Sequence, residues 1–403
     1  MVNEKMRTLG ARRSVIRELF EYGNKRKAEI GADKVYDFSL GNPSVPAPKE
    51  VNESIKRLID ETPSILLHGY TSAQGDGGVR AAIAGYINES FDESVTPECL
   101  YMTVGAAAAL TCSLTALVTP GEEVIVPTPY FPEYKVFIER CGGIIREVAC
   151  DKDFGLDVEA IGAAVSDKTA AIIINSPNNP TGAVFSEESI VSLAEMLNKK
   201  EKELGKTVYI ISDEPYRELA YDGVKVPFLT KYYDDTVVCY SFSKSLSIPG
   251  ERIGYALVCP RMKNFTAVYQ AIAGAGRALG FVCAPSLLQR ILPFCLGKTA
   301  DVDVYDRNRR LLLKELTAYG FEAVKPCGAF YLFIKAPLSD ANEFSERAKK
   351  HEILIVPSDD FGCKGYARLA YCVTTEQIEA ALPAFRALAE DYGIIGDKNG
   401  NQA

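Results

Sequence analysis

The chain has 403 residues, 47% of them apolar and 24% charged, with a formal net charge of −8. That length buries an ample core across two or three domains, and the acidic balance argues against a general nucleic-acid footprint. Eleven cysteines without a C-x-x-C pair and only two histidines, His68 and His351, argue against a zinc site and a Ser-His-Asp triad, and point to a reducing cytoplasm.

In chain order, residues 1–31 carry Glu4, Glu18, Glu21 and Glu29, which argues against a signal or transit peptide. Residues 99–121 are uncharged, but their threonines, Gly105 and Pro120 fit a buried strand, turn and helix better than a membrane span. In that turn Gly105 opens a helix over 106–117, whose N-terminal N–H groups suit a phosphate; a glycine before an alanine-rich helix also serves packing alone. Apolar runs at 124–126, 170–174, 208–212, 237–240 and 253–258 predict buried strands, and 187–203 predicts a helix. The alternation implies an α/β sheet wrapped by helices, with ligand groups gathered beyond the carboxyl ends of the strands. Past residue 285 the pattern predicts one long helix over 286–319 and a smaller α+β unit built on 328–334 and 353–356. The expected division is a segment 1–48 packing with the small domain, a large domain 49–285 and a small domain 286–403.

Several strand ends carry chemistry. Tyr130, in Pro127-Thr-Pro-Tyr-Phe-Pro-Glu-Tyr134, follows the strand 124–126; the chain has no Trp, so a flat ring would stack on Tyr or Phe, although core packing serves an isolated Tyr equally. Asn175-Ser-Pro-Asn-Asn-Pro-Thr-Gly182 is a tight loop that presents the amides of Asn178 and Asn179, or a plain turn. Asp213, in Asp213-Glu-Pro-Tyr216, is a carboxylate at a buried strand end and needs a cation there, unless it caps a helix.

The segment 241–255 places Lys244 among serine hydroxyls and eight residues before Arg252. Ser241, Ser243 and Arg252 suit a phosphate, and an amine beside a phosphate suggests a phosphorylated aldehyde held as a Schiff base. A structural lysine on a polar loop is the alternative. Arg368 sits in an alternating apolar segment, as a clamp on a substrate carboxylate or as half of an internal salt bridge.

Together these motifs resemble the fold-type I, class I/II aminotransferases that use pyridoxal 5′-phosphate (PLP). The order agrees over nearly the whole chain: Gly41-Asn-Pro, Tyr70 with Gly75 and Arg80, Gly105, Tyr130, Asn179-Pro-Thr-Gly, Asp213-x-x-Tyr216, Lys244, Arg252, Gly328-x-x-Tyr331 and Arg368. The resemblance implies a mostly parallel seven-stranded sheet in the large domain and a small α+β domain. It also implies that Lys244 is the Schiff-base lysine and proton shuttle, and that Asp213 pairs with the pyridine nitrogen. Asn179 and Tyr216 would donate to the ring hydroxyl. Gly105, Ala106, Ala107, Ser241, Ser243 and Arg252 would form the phosphate cup, and Tyr130 would stack on the ring. Gly41, Asn179 and Arg368 would hold the substrate carboxylate. Tyr70 would reach the neighbouring site of a homodimer. Relatives often carry Ser/Thr or Gln where this chain has Ala106 and Ala107, so backbone must do that work.

The implied reaction is amino transfer from an L-amino acid to a 2-oxo acid, with aspartate and 2-oxoglutarate favoured and neither nucleic acid nor membrane as partner. A PLP-dependent carbon–sulfur β-lyase of the same fold is the alternative. Residues 271–283, which bear on side-chain specificity, align cleanly with no one subfamily. Arg277 is placed to receive a distal carboxylate from the partner chain, or is a surface arginine.

Overall fold

The computed structural model describes residues 2–11 and 14–395. A seven-stranded sheet runs in the order Leu100–Thr103, Gly254–Val258, Thr236–Ser241, Tyr209–Asp213, Thr169–Asn175, Glu123–Thr128 and Ile144–Ala149. Only Gly254–Val258 lies antiparallel to its neighbours; the other pairings are parallel.

The central strands are continuous apolar runs because both faces are covered. Every residue of Thr169–Asn175 and Thr236–Ser241 is buried. Side chains alternate along a strand. Ile172 and Ile174 therefore pack with Ile190, Leu193 and Leu197 of the helix Glu187–Leu204 on one face. Ala171 and Ile173 pack with Ala109, Leu110 and Ile272 on the other. The helix Glu187–Leu204 starts where the Ser186 side chain accepts from the Ser189 N–H, and stops at Gly205, whose φ of 67° a glycine adopts without strain.

A four-stranded antiparallel sheet, in the order Val356–Pro357, Tyr366–Ala370, Tyr331–Lys335, Ala323–Val324, forms the smaller unit. Its core joins Leu312, Phe344 and Phe385 from three helices. Tyr36–Asp37 pairs in parallel with Ile353–Leu354, tying the N-terminal segment to this unit.

Two elements differ from the sequence reading. The helix expected over 286–319 is two helices, Ser286–Cys295 and Val302–Ala318, separated at Gly297, which takes a φ of 73° that a helix cannot. Ile291 and Leu292 of the first share a core with Ile83 and Leu100, so that helix belongs with the large sheet, beyond the boundary expected at 285. The edge strand Ile144–Ala149 was not foreseen. Most of it is exposed and it carries Arg146 and Glu147, so it lacks the apolar run that marks the central strands. Among the described residues no helix is long and apolar enough to cross a membrane.

Candidate active site

Three adjacent parallel strands end in Asn175, Asp213 and Ser241, with Asn175 in register with Asp213 and Asp213 with Cys239. Beyond them lies a cavity of about 250 Å³, closed on its other side by Gly41, Tyr331 and Arg368. Lys244 enters it from the helical turn Phe242–Ser245, which begins directly after the strand Thr236–Ser241 and is capped by the Ser241 hydroxyl. Its Nζ donates to the Gly41 carbonyl at 2.7 Å. Burial, helped by the cations of Arg252 and Arg368, brings the amine down to about 8. The free base, the form a nucleophile or proton acceptor needs, is therefore reached far more readily than for an ordinary lysine.

Asp213 is held from one side only. Its Oδ2 accepts from the Tyr134 hydroxyl at 2.5 Å, while Oδ1 is buried without a partner. Burial pushes the carboxyl up to about 7, and the Tyr134 bond offsets part of that rise. A cation against Oδ1 would reverse the penalty.

Arg368 is equally incomplete. Its Nη1 donates to Asn179 Oδ1 at 3.0 Å and its Nη2 to the Ser39 carbonyl at 2.6 Å, but Nε is buried and unpartnered. No carboxylate among the described residues pairs with it, so the structure does not supply the internal salt bridge that the sequence left open. The Asn179 backbone N–H donates to Asn175 Oδ1 at 2.9 Å, its side-chain oxygen accepts from Arg368, and the residue lines the cavity.

The residues expected as a phosphate cup are brought together. Ser241 and Ser243 hydroxyls lie 2.8 Å apart, and Arg252 Nη1 is 3.3 Å from Ser243 Oγ. Gly105, at φ 85°, opens the helix Ala106–Leu117; a Cβ built there would come within 2.7 Å of Arg252 Nη2. Backbone N–H groups at that helix start are the available donors, since Ala106 and Ala107 offer none from their side chains. Gly41 is likewise constrained: its Cβ would fall 2.2 Å from the Tyr331 hydroxyl.

One expectation comes out differently. Tyr130 does not line the cavity; its ring stacks against Tyr134 and its hydroxyl donates to Glu147 at 2.6 Å. The next residue, Phe131, lines the cavity instead. Tyr70, 97% exposed, and the exposed Arg277 at the end of the helix Phe265–Leu279 both lie away from the cavity of their own chain. Tyr134 and Tyr331 were not singled out as site residues. Tyr134 meets Asp213 across 79 positions of sequence, a contact no local spacing announces. Ile16, on the helix Val15–Ile30, lines the cavity as one more unheralded apolar group.

Residues 33–385 match the family model for aminotransferase class I and II. The chain belongs to this family. It is 31% identical to the aspartate/prephenate aminotransferase of Thermus thermophilus over 86% of this chain and 89% of that one. Among solved structures it is similar to an amino transferase from Eubacterium rectale, with 52% identity, a TM-score of 0.95 and coverage of 97% and 99% of the two chains. The Thermus thermophilus aspartate aminotransferase with maleate matches at a TM-score of 0.85 and 27% identity, covering 96% of this chain and 100% of that one.

Class I and II aminotransferases are PLP-dependent. The residues of this transaminase fit that cofactor. The orphaned Asp213 Oδ1 matches a protonated ring nitrogen, and the cradle that a Cβ at Gly105 would fill matches a phosphate.

Proposed function

We propose that this transaminase holds PLP on Lys244 and moves an amino group from an L-amino acid, aspartate favoured, to a 2-oxo acid, 2-oxoglutarate favoured. One observation carries the reading. Two buried and oppositely charged residues with unpartnered atoms, Asp213 at Oδ1 and Arg368 at Nε, line the same cavity as Lys244. Asp213 would hold the ring nitrogen. Gly105, Ala106, Ala107, Ser241, Ser243 and Arg252 would hold the phosphate, Phe131 one face of the ring, and Tyr216 and Asn179 the ring hydroxyl. PLP, when bound, supplies the electron sink for the pair released at the substrate Cα.

Arg368 and Asn179 orient the substrate carboxylate, with Gly41 beside them, and that fixes which Cα bond faces the cofactor. Lys244 takes the Cα proton on Nζ and returns it on the cofactor side. Its lowered proton affinity makes more of the unprotonated amine available and eases release of the proton it takes up.

One observation supports aspartate. The Thermus structure of similar fold was solved with maleate, a dicarboxylate. Among the described residues the cations lining the cavity are Lys244, Arg252 and Arg368, and Arg277 of a second copy is the candidate for a distal carboxylate. The exposed apolar Ile65, Leu66 and Tyr70, on and just after the helix Ser64–His68, support a homodimer in which Tyr70 reaches the neighbouring site. The eleven free cysteines fit a cytoplasmic location.

Arg277→Ala tests the specificity directly. We expect turnover of aspartate to fall by about 10–100-fold, the loss of one charged hydrogen bond, with alanine turnover nearly unchanged. Equal losses for both substrates remove Arg277 from this role.

A further inference from the structure

Tyr331 lies where Gly41, Tyr216 and Arg368 meet, yet the reaction as described gives it no task. It begins the strand Tyr331–Lys335, paired with Ala370, and is almost fully buried. Its ring lies 4.5 Å from the Arg368 guanidinium and meets the Tyr216 ring edge-on, with centroids 5.8 Å apart. Its hydroxyl is 2.9 Å from the Tyr216 hydroxyl, and only glycine at position 41 leaves room for it.

We infer that Tyr331 is a positioning residue whose hydroxyl donates to the Tyr216 oxygen, so that Tyr216 keeps its own proton for the cofactor ring oxygen. A phenol has one proton and can direct it to one acceptor. Were Tyr216 to spend its proton on Tyr331, it would face the cofactor with lone pairs only. The surroundings set the direction. Arg368 lies against the Tyr331 ring and stabilises the negative charge that builds on a donating phenol. Arg368 also favours the Tyr216 anion, but there the Tyr331 contact and the Asp213 carboxylate oppose it. The more acidic phenol donates. Each hydroxyl then strengthens the next, so the donor presented to the cofactor is stronger than an isolated tyrosine. Because Arg368 also clamps the substrate carboxylate, the same contact couples substrate binding to the cofactor ring.

This inference rests on the proposal that the site holds PLP on Lys244. A stronger donor at the ring oxygen stabilises its anion and so lowers the proton affinity of the Lys244 link, which can be read without turnover. The experiment titrates the visible absorption band of the holoenzyme with pH in wild type, Tyr331→Phe, Tyr216→Phe and the double variant. We expect Tyr331→Phe to raise the midpoint by about 0.5–1 pH unit. In the Tyr216→Phe background the same change should add nothing, because its effect runs through that hydroxyl. An unmoved midpoint in Tyr331→Phe, or an equal shift in both backgrounds, overturns the inference and leaves the cofactor reading intact. A wild-type protein that shows no such band with PLP overturns the cofactor reading, and the inference with it.

Discussion

Replacing Lys244 with alanine is expected to abolish amino transfer, with a loss of about 10⁴-fold or more. The expectation follows from position. Among the described residues Lys244 is the one amine that lines the cavity, and burial brings its pKa down to about 8. Arg252 and Arg368 also line the cavity, but guanidinium groups stay protonated and cannot take up a proton. The variant should also lose the covalent link to the cofactor, so mass spectrometry after borohydride reduction should find PLP on the wild-type chain and none on the variant. A variant that retained a tenth of the activity would mean that another group moves the proton.

The second large effect concerns Asp213. Changing it to Asn keeps the shape and the Tyr134 contact but removes the charge that Oδ1 offers to a ring nitrogen. Loss of one preorganised electrostatic partner predicts a fall in kcat of about 10²–10³-fold. Stability of the cofactor-free protein should move in the opposite direction. The Asp213 carboxyl is pushed up to about 7 from an ordinary 3.8 by burial. Relative to the charged unfolded form, this group stabilises the fold fully below about pH 4, and that stabilisation is lost as pH rises through about 7. Cofactor-free Asp213→Asn should therefore gain in Tm over wild type at pH 8, with the gain shrinking as the pH falls toward 4. With PLP bound the order should invert, because the wild-type charge then has its partner. Thermal melts with and without PLP at the two pH values check both signs.

What the sequence disclosed follows a physical division. Asn179, Asp213, Ser241 and Lys244 sit at or just past the ends of buried strands, and a buried strand announces itself by its apolar run. Polar residues at such an end are therefore conspicuous, and the cavity is lined by all four. Gly41 needed the family resemblance, and the residues alone left Arg368 between a substrate clamp and an internal salt bridge, since contacts made across the chain have no local signature. The sequence left Tyr130 between stacking on a ring and core packing, and the fold packs it against Tyr134 while Phe131 lines the cavity. Tyr134 and Tyr331 act through contacts spanning 79 and 115 positions, beyond any periodicity. Neither Tyr70 nor Arg277 can be placed in a site by one chain, because both point away from its cavity. The edge strand Ile144–Ala149 escaped notice for the converse reason, its exposed face being as polar as a loop.

The central claim is amino transfer at the Lys244 cavity, and a paired-substrate assay of the purified protein with PLP tests it most directly. Each common amino acid would be supplied with 2-oxoglutarate, and cystathionine without it. The account predicts glutamate formed stoichiometrically with the 2-oxo acid of the donor, fastest from aspartate, and abolished by Lys244→Ala. Pyruvate, ammonia and thiol released from cystathionine, with no glutamate from any donor, would contradict it and make the protein a β-lyase.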